Sequence, residues 1–489
     1  MTVCGTRQGA VRGRALPCGV TSFLGIPYAA PPVGALRLRE PAPPEPWTGV
    51  RDATAHGPTA PHAPYAPPFD VLIPENDIPG DDCLNLNIWT PAPEPGAGLP
   101  VMVWLHGGAF TNGSGSASAY DGTAFARDGV VCVTLNYRLG ADGWLSVPGR
   151  PDSRGLLDQI AALRWIRDNI ASFGGDPDLV TVFGESAGAM SIGTLLTTEA
   201  ARGLFRRAVL QSGACHHFLR PASAARITAR LAEKLGIAPT AEAFEAVELP
   251  ELLAAQAELR GEVGADPDPA RWGEAALNIM PFEPVLPDLV LPGPDLGVDL
   301  LVGSNREEYR LFLVPTGRLP AVPEPALHAL TAAYGLDPAA ALPVYRAGRP
   351  DATPGELLSA VATDWFYRIP AVRLAESVPG SHLYEFAWRS PGFGDSPGGG
   401  LGACHALELP FVFDRLDDPS YAPMVGDRPP QGLADAMHAA WVAFAKTGDP
   451  GWKAYDGATR TTMVFGDASE TGPVDDPRPR ERLLWAGVR

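Results

Sequence analysis

Lysine is almost absent from this chain of 489 residues: Lys234, Lys446 and Lys453 are the only three. Arginine supplies the rest of the positive charge, a pattern that reads as the codon bias of a G+C-rich bacterial genome. Positive charge is short overall, with 38 Lys+Arg against 56 Asp+Glu and a formal net charge of −18. This argues against nucleic acid or an anionic membrane as the main partner, because both require a basic face. Long apolar runs are lacking too: no window approaches the roughly 18–20 uninterrupted apolar residues of a membrane span. The N-terminus, Met1-Thr2-Val3-Cys4-Gly5-Thr6-Arg7, has no apolar core of a secretory signal. Together these absences predict a soluble cytoplasmic protein.

What remains is the composition of an ordinary globular enzyme, 45% hydrophobic and 19% charged. Glycine (54) and proline (53) are abundant. Their sum stays below the roughly 25–30% of low-complexity chains, and they are dispersed among apolar runs as turns. At about 150 residues per domain the length allows three domains, although large α/β folds exceed that figure. A sizeable core is no difficulty at this size.

Short apolar, β-branched runs alternate with helical patterns, the rhythm of a largely parallel sheet with crossover helices. Ser22–Ile26, Leu84–Trp89, Val101–Leu105, Val130–Leu135, Leu179–Phe183, Ala208–Leu210, Leu300–Val302 and His382–Phe386 read as strands. Leu156–Ile170 has helical spacing. Residues 221–271 and 323–370 read as helical insertions above the sheet. Pro58–Pro79 reads as a long surface loop.

Gly184-Glu185-Ser186-Ala187-Gly188 follows the strand Val180–Phe183 and precedes a helical run, Ala189–Leu196. Chance alone supplies roughly a few tenths of a GxSxG match in so glycine-rich a chain, so context decides. A strand-to-helix turn pushes a serine Oγ out of the sheet, and small neighbours let the backbone pass. Upstream, the strand Val101–Leu105 ends in His106-Gly107-Gly108-Ala109-Phe110. A glycine-rich turn there can present consecutive N–H groups to an oxyanion; the competing explanation is an ordinary tight turn.

Further segments follow in order along the chain. They are Phe23-Leu24-Gly25-Ile26-Pro27-Tyr28-Ala29, Asp82-Cys83-Leu84-Asn85-Leu86-Asn87 and Asn136-Tyr137-Arg138-Leu139-Gly140. Gly155-Leu156-Leu157-Asp158-Gln159, Phe173-Gly174-Gly175-Asp176-Pro177 and Phe444-Ala445-Lys446-Thr447-Gly448 complete the set. With the serine pentapeptide, they resemble the type-B carboxylesterases, the α/β-hydrolase branch of para-nitrobenzyl esterases and cholinesterases. The resemblance covers essentially the whole chain. It implies one catalytic unit over 1–489, a large, mostly parallel central sheet flanked by helices, and helical insertions over the active site.

The resemblance also implies a triad. Ser186 is the nucleophile, and its acid lies in Ser304-Asn305-Arg306-Glu307-Glu308-Tyr309, where the family register favours Glu308 over its neighbour Glu307. The base is a downstream histidine: His328, His382, His405 or His438. His438 falls in an amphipathic helix and His382 opens a strand, whereas His405 follows the loop Gly400-Leu401-Gly402-Ala403-Cys404, which resembles the family's catalytic loop. The oxyanion hole then comprises the N–H groups of Gly108, Ala109 and Ala187. Gly107, Glu185 and Ser212 support the triad from behind, and His106 shapes the backbone. Phe110, Met190, Leu311 and Phe312 are candidate pocket walls, with Tyr65 and Phe69 of the long loop; core packing is the alternative for each.

The implied activity is hydrolysis of small to medium neutral carboxylic esters through an acyl-enzyme, without metal or cofactor, by a monomer acting on a small-molecule substrate. Amide or carbamate hydrolysis, or acyl transfer, would use the same triad. A non-enzymatic adhesion role is disfavoured because all three triad residues are present. Cys215-His216-His217 is consecutive and lacks partners of metal-site spacing, and Cys404 is expected to serve packing. Two departures stand out. The family's usual cysteine partner for Cys83 is replaced by Ala60, which points to free thiols and a reducing compartment. The Pro61–Asp82 loop holds no tryptophan, and Leu311 stands where the family has a gorge aromatic. Choline esters are therefore disfavoured.

Overall fold

A computed structural model describes residues 1–73, 75–394 and 399–489. Within the Pro-rich loop Pro74 lies outside the described residues. The described chain divides into two compact units. One comprises Met1–Tyr65, Glu75–Ala208 and Cys215–Val290; the other holds Val209–Ala214, Leu291–Arg489 and a short segment from Ala66.

The first unit is built on eight strands: β1 (Thr2–Gly5), β2 (Ala10–Ala15), β3 (Thr21–Pro27), β4 (Val50–Asp52), β5 (Asn85–Thr90), β6 (Leu99–Leu105), β7 (Val131–Leu135) and β8 (Gly175–Glu185). They lie in the order β1-β2-β3-β5-β7-β6-β8, with β4 paired to β2. β7, β6 and β8 are parallel, while the meander leading into them is antiparallel. Val101, Val103 and Leu105 of β6 are fully buried together with Met102 and Trp104. A continuous apolar run is what a strand covered on both faces requires.

The sequence signatures of this unit prove to be long-range fasteners. Asn87 donates to the Gly115 carbonyl and the Thr134 hydroxyl, and its own oxygen accepts from Gly25 N–H. Arg138 and Asp158 form a buried two-point ion pair at 2.8 and 2.7 Å. A Cβ on Gly155 would stand 2.5 Å from the Trp144 ring, so only glycine lets the helix Arg154–Asn169 come so close. Residues 221–271 form helices, chiefly Pro221–Leu235 and Leu249–Ala265.

The second unit takes up the chain within β9 (Arg207–Gln211). It adds β10 (Asp299–Asn305), β11 (His382–Phe386) and β12 (Thr461–Phe465), with β10 and β12 each parallel to β11. β13 (Gly472–Asp475) closes this edge antiparallel to β12. Residues 323–370 are again helical: Glu324–Ala333, Pro338–Ala347 and Pro354–Thr363, the last opened by a Thr353–Glu356 capping box. A π-helical turn, Asp364–Arg368, follows. Helix Gln431–Thr447 ends at Gly448 in the left-handed conformation (φ 84°), which accounts for the closing glycine of that signature. Among the described residues no helix is long and apolar enough to cross a membrane.

Candidate active site

Ser186 stands between β8 and helix Ala187–Leu195 with φ 53° and ψ −125°. A serine pays a steric penalty in that region, and such strain persists only where surrounding contacts enforce it. The contacts are visible. A Cβ on Gly184 would lie 2.7 Å from the Leu105 carbonyl oxygen, and one on Gly188 would lie 1.9 Å from the same atom. The two glycines of the pentapeptide thus let β8 and its helix press against the end of β6, and the turn between them lifts Ser186. Ala187 is the first helical residue, so its N–H has no partner within the helix. The positive helix end favours negative charge forming beside it.

β6 and β8 run in parallel register with Leu105 opposite Gly184, so the glycine turn after β6 emerges beside the serine. A Cβ on Gly107 would meet Glu185 Oε2 at 2.7 Å and Ser186 Cβ at 3.1 Å. Gly108 (φ 115°), Ala109 (φ 53°) and Phe110 (φ 61°) continue through positive φ. The Gly108 carbonyl accepts from the N–H groups of Thr111 and Asn112. Asn112 also donates to Glu75 and to the Ala63 carbonyl, tying this turn to the Pro-rich loop. Glu75 in turn lies 3.1 Å from buried His62.

His106 is fully buried, stacks on Tyr137, and has its pKa pushed down to about 4 by burial. It is neutral near pH 7 and shapes the turn through its contact with the Gly107 carbonyl. Phe110 is fully buried against Trp144, and Met190 is buried within the serine helix.

The second unit holds the other half of the expected chemistry. His405 Nδ1 lies 2.7 Å from Glu308 Oε2, and both residues are buried. The other Glu308 oxygen accepts from Asn305 N–H at 2.7 Å. Of the two adjacent glutamates, Glu308 is the one in contact with His405, and Glu307 reaches the Ala403 backbone. Among the other candidate bases, His438 contacts the Val412 carbonyl, His382 is a buried strand residue, and His328 is an exposed helix residue beside Glu324. The rings of Tyr367 and Phe312 lie 4.8 and 5.5 Å from the His405 ring. Leu311 is fully buried. Ser212 is buried with φ 52°; its N–H donates to the Gly303 carbonyl, and its hydroxyl finds no partner among the described residues.

Sequence reasoning missed Glu408. It is fully buried and accepts from Asn305 and Gln211 side chains. Burial and then the charge of Glu308 push its pKa up to about 6. A carboxylate inside the apolar run Leu407–Phe413 was the available signal, since such a group must find partners. Tyr367 was missed as well, because a π turn leaves no mark on hydrophobic periodicity. Cys404, next to His405, is fully buried with its thiol pKa raised by burial, as packing requires. Among the described residues no group of three or more His, Cys, Asp or Glu is placed to hold a metal ion.

A serine elbow beside a glycine turn, on a parallel sheet with flanking helices, defines an α/β-hydrolase. Comparison with known proteins narrows this. The model of the carboxylesterase family matches residues 1–327. The para-nitrobenzyl esterase of Bacillus subtilis (strain 168) is 38% identical, over 98% of this chain and 97% of that protein. The phenmedipham hydrolase of Pseudarthrobacter oxydans is 34% identical over 96% of each. The crystal structure of the Geobacillus stearothermophilus carboxylesterase matches with a TM-score of 0.83 at 37% identity, covering 99% of this chain and 100% of that one. The chain belongs to the carboxylesterase family. It is an ester-hydrolysing serine esterase with the α/β-hydrolase fold.

Proposed function

We propose that the chain, working over 1–489 as one catalytic unit, cleaves small to medium neutral carboxylic esters through an acyl-enzyme on Ser186. His405 takes the Ser186 proton as Oγ attacks the ester carbonyl. Glu308 holds the imidazole tautomer and stabilises the imidazolium. The N–H groups of Gly108, Ala109 and Ala187 receive the oxyanion. His405 returns the proton to the leaving alkoxide, the alcohol departs, and the acyl group stays on Ser186. Water, deprotonated by His405, attacks that acyl carbonyl; collapse expels Ser186 Oγ, which recovers the proton as the acid is released.

The observation that carries this reading is the forced backbone of Ser186, a strained serine at a helix N-terminus. The aromatic rings beside His405 offer apolar surface suited to acyl or aryl groups. The acidic chain is proposed to act as a cytoplasmic monomer on small-molecule esters. The test is hydrolysis of para-nitrophenyl acetate and butyrate by wild type and Ser186→Ala. Loss of the nucleophile should lower kcat on the order of 10⁴-fold or more. Activity retained by Ser186→Ala overturns the mechanism. Amide and carbamate substrates in the same panel measure how far the chemistry extends beyond esters.

A further inference from the structure

The loop that carries His405 has left-handed glycines at Gly399, Gly400 and Gly402, so its own dihedral preferences constrain it weakly. Its position is set from outside by residues flanking the acid. Glu307 N–H donates to the Ala403 carbonyl at 2.9 Å. Glu307 Oε2 accepts from Ala403 N–H at 3.0 Å. One residue therefore engages both backbone groups of Ala403, two positions before His405. The other carboxylate oxygen, Oε1, lies 3.4 Å from the Arg389 guanidinium.

Gly402 makes this approach possible, since a Cβ there would stand 2.4 Å from Glu307 Oε2. Neighbouring fasteners complete the clamp. Arg310 donates to the carbonyls of Gly399 and Gly400. Asn305 donates to the Cys404 carbonyl at 2.7 Å, and Ser390 N–H to the Gly402 carbonyl at 3.0 Å. Adjacent glutamates thus divide the work. Glu308 meets the imidazole, and Glu307 holds the backbone from which that imidazole reaches.

We propose that Glu307 is a positioning residue for ester hydrolysis: its Oε2, accepting from Ala403 N–H, fixes the Ala403 peptide and so the place of His405. This rests on His405 acting as the base of the proposed triad. A solvated surface ion pair is the competing explanation, because Arg389 is 65% exposed and exposed pairs contribute little. The bond to Ala403 separates the two. A side-chain oxygen 3.0 Å from the Ala403 nitrogen holds that peptide by geometry, and a catalytic group displaced by about 1 Å can lose on the order of 10²-fold in rate.

The experiment measures kcat, KM and thermal midpoint with para-nitrophenyl acetate for wild type, Glu307→Gln, Glu307→Asp, Glu307→Ala and His405→Ala. Gln keeps an oxygen for Ala403 N–H without the charge; Asp keeps the charge but withdraws the oxygen by one methylene. The expected result is a fall in kcat of about 10- to 100-fold in Ala and Asp. KM should stay within about two-fold, and Gln should recover most of the rate. Wild-type kcat in Ala overturns the proposal, as does an Asp variant that outperforms Gln, which would make charge the relevant property. Should Ala fail to fold, Gln against Asp decides by the same criterion. Activity surviving in His405→Ala would instead overturn the base assignment, so the two failures are distinguishable.

Discussion

Glu308 and Glu408 share one asparagine: Asn305 donates its backbone N–H to the first and its side-chain amide to the second, each at 2.7 Å. Burial, and then the nearby charge of Glu308, raise the Glu408 pKa to about 6. A carboxyl whose folded pKa exceeds its unfolded value of about 4.5 binds its proton more tightly in the folded state. Its stabilising contribution is therefore complete below about pH 4.5 and is lost as pH rises through about 6. The loss at pH 8 is about 2 kcal/mol. Urea unfolding at pH 5 and pH 8 should show wild type losing about 1 kcal/mol of stability relative to Glu408→Gln, because the rest is already lost by pH 5. A difference that does not change with pH would refute the assignment.

Gln substituted singly at Glu307 and Glu308 should separate their roles. Glu308→Gln removes the carboxylate that orients His405 Nδ1, and kcat should fall by about 10⁴-fold. Glu307→Gln retains an acceptor for Ala403 and should stay within about two-fold of wild type. Steady-state kinetics on one para-nitrophenyl ester suffices, and equal losses would contradict the geometry.

Gly108→Ala should damage catalysis more than folding. The new Cβ would stand 2.2 Å from the Asn112 carbonyl oxygen in a backbone of φ 115°, so the turn must move. Displacing an oxyanion donor costs about 10²–10³-fold in kcat. Kinetics paired with a thermal melt would show a large kcat loss on a chain that still unfolds cooperatively; wild-type kcat would remove Gly108 from the oxyanion hole.

Asp158→Asn should destabilise the fold by about 3–5 kcal/mol, because it leaves the buried Arg138 guanidinium without its countercharge. Replacing both residues together, as Arg138→Met with Asp158→Leu, should recover much of that loss. Urea midpoints of the three proteins check it, and a double variant no better than the single one would contradict it.

All six cysteines are free, and only Cys18 is exposed. Thiol titration with a disulfide reagent should find one fast-reacting group in the native protein and six after denaturation. Burial pushes the Cys83 thiol up to about 12, so it should be among the slow ones. A second fast thiol would contradict the burial pattern.

Much of the fold is legible in the sequence because it is local. The predicted strand His382–Phe386 is β11 residue for residue. Ser22–Ile26 extends by one residue at each end in β3, and Leu179–Phe183 is the inner part of a longer β8. Boundaries shift because hydrogen-bond pairing with a neighbour, not composition, decides where a strand stops. Ala60 correctly signalled a free Cys83. The suggested pocket residues were harder to sort. Phe110 packs on Trp144 while the Phe312 ring lies beside His405, and side-chain direction alone separates the two.

By itself the sequence determined the strand-turn-helix around Ser186 and the glycine turn after β6. These follow from short-range sterics, which a few consecutive residues dictate. Tertiary structure decided which of two adjacent glutamates meets a histidine 97 positions away, and it placed Glu408 beside them. Consecutive side chains leave a turn in different directions, and only the packing of distant segments determines what each direction meets.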